Sequence, residues 1–489
     1  MGDTLYLEPQ LGAPIAALLE RQALLHTLAD ALGSPLAVVL PEQIARNADA
    51  FRAVYRRHRL GGRICYAHKA NRSSALLRRL AATDVDVDVA SLGELQHALA
   101  CGFTGDRITA TGPKTPEFLW LAVRAGATVA PDSRQELDQV AALVREQGLP
   151  RVNVLPRLSA FRGGGVHTLS CPSRFGTRVR ETDALLKALE RHGDAVEPVG
   201  VSYHLDTTAI GEKAAAVEGC LTVLEELRGR GLRPRALDIG GGFGANYLAH
   251  GAQWERYTTE LANAVLATRP PMAWGGHGYG LRVEHGTLRG SLGLYPAYRP
   301  VAGPRYLDEL LSQRAASLGN RPLAALLLEH LYDLHAEPGR ALLDQCGLTL
   351  ARVLEVRDDE DGDPLWVRLA ANAHDIGLEE HGVLVDPVLV PRRPAPAGPV
   401  AVHLFGNLCL ETDLITRRIV HLPRRPRPGD LLAFTNTAGY CMDFHATRAQ
   451  NQPVARKVAA WQEEPDSAWR WCLDKEYWPR SAPGGEQAP

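Results

Sequence analysis

The stretch Arg63-Ile-Cys-Tyr-Ala-His-Lys-Ala-Asn71 predicts a short buried strand with a lysine directly after it. Its central residues are apolar or β-prone, Gly61-Gly62 precedes them, and a polar turn begins at Asn71. Lys69 would therefore place its amine at the carboxyl end of a core strand. A lysine in such a position is most often an ordinary surface residue, so its meaning depends on what the other strand ends carry.

Strands and helices alternate from residue 41 to about residue 340. The predicted strands after the Lys69 strand are Asp86 to Ala90, Arg107 to Gly112, Thr128 to Asp132, Arg151 to Arg157, Val199 to His204, Ala236 to Gly240 and Tyr332 to Ala336. Capping boxes at Ser91–Glu94 and Ser133–Glu136 predict the starts of two of the helices. Eight strands alternating with helices fit an α/β fold of the (β/α)8 TIM-barrel type better than an open doubly wound sheet.

Polar residues fall at the carboxyl ends of most of these strands. They are Lys69, Asp88, Asp132, Arg157, His204, the glycine run from Gly240, and Glu337. Barrel enzymes build their active sites on this face. One such residue would mean little, but seven of them predict a site.

The chain changes character after Arg340. Short strands joined by Pro, Gly and Asp turns predict a mostly β domain over residues 341–480, which a strand at 34–40 in the N-terminal segment could join. Within the barrel, residues 265–325 are rich in Pro and Gly and predict an insertion or lid. The tail at 481–489 is predicted to be disordered.

Composition narrows the functional classes. The chain has 489 residues, a formal net charge of −2 and eight cysteines without CxxC pairing. These features predict a cytoplasmic protein with no metal site and with no nucleic-acid or membrane partner. A signal peptide and a membrane-spanning run are not expected either.

Two motifs suggest a phosphate-bearing ligand. Gly240-Gly-Gly-Phe-Gly244 follows a strand and could cradle a phosphate, although it does not match G-x-G-x-x-G. Glu337-Pro-Gly-Arg340 adds a carboxylate, a glycine and an arginine at another strand end. Either motif alone could be an ordinary turn. Together with Lys69 and His204 they suit pyridoxal phosphate, which needs a Schiff-base lysine, a phosphate cradle and a partner for its pyridine nitrogen.

With these residues in view, the chain resembles the fold type III pyridoxal-phosphate-dependent decarboxylases of the ornithine/diaminopimelate decarboxylase family. The motifs that carry the resemblance are Tyr66-Ala-His-Lys-Ala-Asn71, Asp88-Val-Ala-Ser-Leu-Gly-Glu94, Ser173-Arg-Phe-Gly176, Leu237-Asp-Ile-Gly-Gly-Gly-Phe-Gly244, Glu337-Pro-Gly-Arg340, Gly406-Asn-Leu-Cys-Leu-Glu-Thr-Asp413 and Ala438-Gly-Tyr440. They occur in the family's order from about residue 34 to 455.

The resemblance implies a role for each matching residue. Lys69 would form the Schiff base with the cofactor, and His204 would stack on its ring. The residues implied to bind the cofactor besides these two are Asp88, Thr207, Gly241, Gly242, Glu337, Gly339, Arg340 and Tyr440. Cys409 would donate a proton to Cα from the partner subunit of a homodimer, with Leu410, Glu411 and Asp413 near the substrate.

The residue expected at the pyridine nitrogen favours decarboxylation. A carboxylate such as Glu337 keeps that nitrogen protonated, so the ring withdraws electrons strongly. Alanine racemases of the same fold place an arginine there. An amino-acid racemase or epimerase is the main alternative; a non-catalytic regulator and a nucleotide-binding dehydrogenase fit fewer of the motifs.

Departures from the family pattern affect the substrate. Decarboxylases of the family that act on basic amino acids have an acidic residue after the loop cysteine, where this chain has Leu410. Asp206 occupies the glycine position of the family's H-V-G-S motif, and an alanine is missing before Tyr440. These changes suggest a larger or conjugated amino acid in a biosynthetic pathway of the secondary-metabolite or siderophore type. Diaminopimelate decarboxylase proper remains the alternative.

Overall fold

The computed structural model describes residues 4–161, 173–359, 362–394, 396–464 and 467–479. The predicted disordered tail at 481–489 lies outside the described residues. The chain divides into two compact units. One unit comprises Met1–Gln43, Ala245–Pro300 and Leu343–Tyr477, and the other comprises Ile44–Gly244, Val301–Leu342 and Trp478–Pro489.

The α-helices are Ala13–Leu19, Gln22–Leu32, Pro41–His58, Ser74–Ala81, Leu92–Ala100, Pro116–Ala125, Arg134–Gln147, Thr182–Arg191, Ile210–Gly229, Gly251–Val265, Gly303–Ser312, Leu323–Glu329 and Ala373–Ile376. Within the described ranges, no helix is long and apolar enough to cross a membrane.

Eight stretches of parallel strand form the centre of the second unit. They are Gly62–Ala67, Asp86–Val89, Ile108–Ala110, Thr128–Val129, Val152–Val154 continuing into Arg157–Ser159, Gly200–Tyr203, Ala236–Asp238 and Asp333–Ala336. Each pairs with the next along the chain, and the last pairs with the first in the register Leu334↔Gly62. The pairings therefore close the sheet on itself, and the predicted barrel is confirmed.

The barrel strands form where the sequence has short apolar runs ended by polar residues. Helices follow them, and serine caps begin several of these helices. Ser91 Oγ accepts from the Glu94 N–H, as predicted, but Glu94 accepts from the N–H of Ala90 rather than from the cap itself. The carboxylate thus ties down Ala90, the residue directly after the strand Asp86–Val89. This fixes the strand end that follows Asp88.

The first unit contains the mostly β domain, which is also confirmed. Its nine-stranded sheet is built on the long strand Gly347–Asp359. The strand Leu36–Val39 pairs antiparallel with that strand and parallel with Arg456–Trp461. The remaining strands of this sheet are Gly362–Leu369, Val388–Val390, Val400–Phe405, Leu414–Leu422, Leu431–Thr435 and Arg470–Leu473.

Among the described residues, six shorter strands lie outside the barrel ring and the nine-stranded sheet. Thr177–Arg178 and Val196–Pro198 extend the barrel sheet, Leu281–Glu284 pairs with Thr287–Gly290, and Arg314–Ala315 pairs with Arg321–Pro322.

The departure from the barrel differs from the predicted insertion at 265–325. The chain leaves the barrel unit at Ala245 and returns at Val301. The reason is hydrophobic burial: the helix Gly251–Val265 buries Tyr257 and Leu261 in the same core cluster as the β-domain strands. Residues 245–264 carried an ordinary helical pattern, so their partner could not be inferred from sequence.

Candidate active site

A cavity of about 330 Å³ opens at the carboxyl ends of the barrel strands. The residues lining it are Lys69, Ala90, Thr111, Gly112, Pro113, Ala130, Asp132, Arg157, Phe175, Ser202, Tyr203, His204, Asp206 and Glu337. Five of the strand-end residues predicted from the sequence are among them. Asp88 lies in the same region and accepts a hydrogen bond from the cavity residue Thr111.

Lys69 is held by a tightly bonded turn. It is the middle residue of a short 3-10 helix, His68–Ala70, that follows the strand Gly62–Ala67. The Tyr66 hydroxyl donates to the Asn71 carbonyl at 3.1 Å, and Asn71 Oδ1 accepts from the Ser73 N–H at 2.9 Å. The Tyr, Lys and Asn of the motif are therefore parts of one turn that presents the lysine to the cavity.

Three buried carboxylates lie close together at the cavity, and one of them, Glu337, lines it. Asp88, Asp238 and Glu337 are 2%, 1% and 8% exposed. Burial and the charge of Glu337 raise the pKa of Asp88 to about 7, and the same causes raise the pKa of Asp238 well above its ordinary value. Burial also raises the pKa of Glu337, against the opposing fields of Lys69 and Arg157. When ionised, these carboxylates therefore carry more negative charge than the nearby cations neutralise.

His204 is a neutral imidazole in this environment. Burial and the positive charges of Lys69 and Arg157 lower its pKa to about 3. Its Nδ1 accepts a hydrogen bond from the Gly241 N–H at 3.3 Å and lies 3.8 Å from Glu337 Oε2. The ring is thus tied to the glycine run on one side and faces a carboxylate on the other.

The glycine run requires glycine at particular positions. Gly240 and Gly242 have φ values of +63° and +88°, which favour glycine. A Cβ on Gly241 would lie 2.8 Å from the Glu337 carbonyl oxygen, and one on Gly242 would lie 3.4 Å from the Thr207 carbonyl oxygen. The backbone conformation and the close contact at Gly241 therefore require glycine, and a run without side chains lets an anion approach the backbone closely.

The wall formed by Arg157 completes the cavity. Arg157 lies 3.6 Å from Asp132, and its guanidinium carbon is 5.0 Å from the centre of the Phe175 ring. Phe175 belongs to the predicted Ser173-Arg-Phe-Gly176 turn, whose Ser173 hydroxyl accepts from the Phe175 N–H at 3.1 Å. This turn therefore supplies an apolar wall beside a paired arginine.

The other predicted site residues divide between the two units. Gly339 and Arg340 follow Glu337 in the barrel unit. Cys409, Leu410, Glu411, Asp413 and Tyr440 belong to the β-domain unit. Tyr440 has a φ of +71°, and its ring lies 5.8 Å from that of His381.

The loop around Cys409 is organised by Asp413. This carboxylate accepts from the Leu408 N–H at 2.8 Å and the Ala373 N–H at 2.9 Å. A Cβ on Gly406 would lie 2.3 Å from the Asp413 carboxyl carbon, so glycine is required there. The loop leaves Cys409 exposed and Leu410 55% exposed.

Comparison with known proteins gives the family. The family model for the pyridoxal-dependent decarboxylases, pyridoxal binding domain, matches residues 42–288. The uncharacterized protein y4yA of Sinorhizobium fredii is 31% identical over 456 residues, covering 92% of both chains. The chain belongs to the pyridoxal-dependent decarboxylase family.

Two further matches agree with this membership. A diaminopimelate decarboxylase of Actinosynnema pretiosum is 27% identical, covering 91% of this chain and 88% of its own. In fold, the diaminopimelate decarboxylase of M. jannaschii matches with a TM-score of 0.69 at 21% identity, covering 92% of this chain and 91% of its own. The decarboxylase resemblance is therefore confirmed, and with it a carboxy-lyase that uses pyridoxal phosphate.

The residues of this decarboxylase fit that cofactor. The cavity is lined by Lys69, by the neutral imidazole of His204 and by the buried carboxylate of Glu337. The glycine run adjoins it, because the Gly241 N–H donates to His204. These are the groups that an aldehyde, a phosphate and a cationic ring nitrogen require.

Two residues at this site were missed in the sequence. Thr111 bonds Asp88, and Lys213 donates from the helix Ile210–Gly229 to the Gly241 carbonyl. The signal for Lys213 was present, because it interrupts an apolar helical stripe that continues at Val217 and Cys220.

Proposed function

We propose that this decarboxylase removes the α-carboxylate of an amino acid whose distal end is not a free amine. The observation that carries the proposal is Leu410, an exposed apolar side chain directly after Cys409. A distal ammonium group needs a carboxylate or other acceptor to offset the loss of its hydration, and a leucine offers none. Ornithine, lysine and diaminopimelate are therefore disfavoured as substrates.

Each cofactor-site residue has a proposed role. Lys69 binds the cofactor covalently, and Gly241, Gly242 and Thr207 receive its phosphate together with Gly339, Arg340 and Tyr440. Glu337 faces the ring nitrogen, with Asp88 adding to the negative field. When bound, pyridoxal phosphate supplies an electron-withdrawing ring that stabilises the negative charge left at Cα as CO2 departs.

Two side chains support this chemistry without changing charge. His204 stays neutral because its pKa is about 3. It can therefore lie against the ring without placing a second positive charge beside the protonated ring nitrogen that Glu337 faces. Glu337 donates no proton to the substrate in this proposal. It keeps the ring nitrogen protonated. The positive charge on that nitrogen is favourable because it would lie near buried carboxylates.

Cys409 is proposed as the proton donor to Cα. Its thiol is exposed on a loop whose shape Asp413 fixes through backbone hydrogen bonds. The family resemblance suggests that the loop serves the site of the partner subunit, so we propose a homodimer. Asp413 shapes this loop. Leu410 is proposed to face the distal end of the substrate, while Glu411, one position on, contacts another part of it.

An aromatic cavity beside this loop supports a large substrate. It has a volume of about 440 Å³ and has an aromatic wall of Trp274, Trp366 and Phe405. The Trp366 and Phe405 rings stack at 5.0 Å, and Trp274 packs edge-on against both. The rest of the lining includes the charged residues Glu355, Arg357, Arg368, Glu411 and Asp413. An aromatic wall beside charged groups suits a large substrate with both a planar and a polar part, which agrees with a larger or conjugated amino acid.

The test is a substrate panel with matched variants. CO2 release is measured from basic, acidic, aromatic and conjugated amino acids, using the parent, Leu410→Glu and Leu331→Glu. Leu331 is an 85% exposed leucine in the barrel unit and controls for added surface charge. We expect the parent to prefer substrates without a distal amine and only Leu410→Glu to gain activity on basic ones.

Rapid turnover of diaminopimelate by the parent would overturn the substrate assignment. Loss of optical rotation without CO2 release would instead favour the racemase alternative. The cytoplasmic location is kept as part of the proposal, on eight cysteines scattered through the sequence without CxxC pairing.

A further inference from the structure

Lys213 is a lysine buried where a charge is costly. It lies in the first turn of the helix Ile210–Gly229 and is 0% exposed. Its neighbours on the buried face of this helix are apolar, including Val217 and Cys220. Ammonium groups are almost never fully buried without a partner, so the position of its amine needs a reason.

The amine reaches the glycine run. Lys213 Nζ donates a hydrogen bond to the Gly241 carbonyl and lies 5.4 Å from the centre of the Phe243 ring. A Cβ on Gly242 would lie only 2.8 Å from Nζ. The ammonium therefore occupies the space into which a side chain at residue 242 would project, and it lies behind the glycine run without reaching the surface.

The surroundings of Lys213 change its pKa in opposite directions. Burial lowers its pKa to about 8, while the negative charges of Glu337 and Asp206 act in the opposite direction. It is thus still mainly a cation at neutral pH. Asp206 lines the cavity at a position where the family motif has glycine. The chain has therefore added a carboxylate to the cavity and also keeps a buried cation at the glycine run.

We propose that Lys213, buried behind the glycine run, stabilises the phosphate group of pyridoxal phosphate through its charge and offsets the repulsion from Asp206. A buried cation attracts a nearby dianion strongly where water is excluded. Without a cation, Asp206 would disfavour a dianion in the cavity. The inference rests on the proposed cofactor-binding roles but is independent of the substrate.

The test compares two ligands that differ only in the phosphate. Equilibrium binding of pyridoxal phosphate and of pyridoxal to the cofactor-free protein is measured for the parent, Lys213→Met and Lys213→Arg. We expect Lys213→Met to weaken the binding of pyridoxal phosphate about tenfold or more, as for the loss of one nearby buried cation. Pyridoxal binding should not change. Lys213→Arg should restore part of the loss, because it keeps the charge.

Lys114→Met is the matched control. The Lys114 side chain is also buried, but its amine is held by the Gly112 and Ala130 carbonyls, each at 2.7 Å, and by Glu136 at 3.1 Å. Lys114→Met should leave the ratio of the affinities for pyridoxal phosphate and pyridoxal unchanged. Lys213→Gln replaces Lys213→Met if the latter does not fold, as judged by circular dichroism of the cofactor-free protein.

Equal weakening of both ligands by the neutral variant would overturn the proposal, because it would show that Lys213 only supports the Gly241 backbone. Unchanged binding of both ligands would also overturn it. A parent that binds pyridoxal phosphate in a Lys213-dependent way but decarboxylates nothing would leave this inference standing and refute the proposed function.

Discussion

Replacing Asp88 by asparagine is predicted to stabilise the cofactor-free protein above neutral pH. Burial and the field of Glu337 raise the pKa of Asp88 from 3.8 to about 7. Between these values the unfolded chain has released a proton that the folded chain retains, so the free energy of unfolding falls as pH rises through this window. A shift of about three units corresponds to about 4 kcal/mol. Asparagine does not ionise, so it removes this loss of stability, and its side-chain oxygen can still accept the hydrogen bond from the Thr111 hydroxyl.

The assay is urea unfolding of the cofactor-free parent and Asp88→Asn at a series of pH values. The difference in the free energy of unfolding between the two proteins should be near zero at about pH 4 and grow to at most about 4 kcal/mol at about pH 8. Asp49→Asn, which changes an exposed aspartate of the barrel unit, should run parallel to the parent. If Asp88→Asn also runs parallel to the parent over this range, the account of buried, under-compensated charge at the site is wrong.

Three further predictions concern the cofactor and the proton donor. Gly242→Ala should destabilise the cofactor-free protein by at least about 1–2 kcal/mol in urea unfolding, because φ is +88° and the added Cβ meets Lys213. Gly211→Ala is the control, because a Cβ there meets open space. Equal stability of Gly242→Ala and the parent would refute the reasoning. Glu337→Gln should bind the cofactor yet slow CO2 release by about a hundredfold or more, whereas an unchanged rate would rule out its role at the ring nitrogen. Cys409→Ala should keep the bound-cofactor absorbance while turnover falls about 10²–10⁴-fold; turnover equal to that of a Cys472→Ala control would remove the thiol as proton donor.

The barrel and most of its active-site face could be predicted from sequence. Each buried strand is a short apolar run, and a polar residue such as Lys69 or Glu337 marks where it ends. Parallel strands in a barrel bring those ends to one face, so linear spacing carries over to the cavity. The capping serines were predictable for the same reason, since local hydrogen bonds depend on near neighbours.

What sequence did not reveal depends on distant partners. The helix Gly251–Val265 has an ordinary amphipathic pattern, and nothing in it indicates that Tyr257 packs with the β-domain core rather than with the barrel. The interruption of an apolar helical stripe marked Lys213 as unusual, but its contact with Gly241, 28 residues later, could not be inferred from that stripe. The raised pKa of Asp88 likewise results from Glu337 on a different strand.

The central claim is that Lys69 is the residue that binds pyridoxal phosphate covalently. The most direct measurement is borohydride reduction of the cofactor-loaded protein, followed by proteolysis and mass spectrometry of the lysine-containing peptides. The account predicts a pyridoxyl adduct on Lys69 and its absence in Lys69→Ala. An adduct on Lys213 or another lysine instead, or no adduct after incubation with the cofactor, would contradict it.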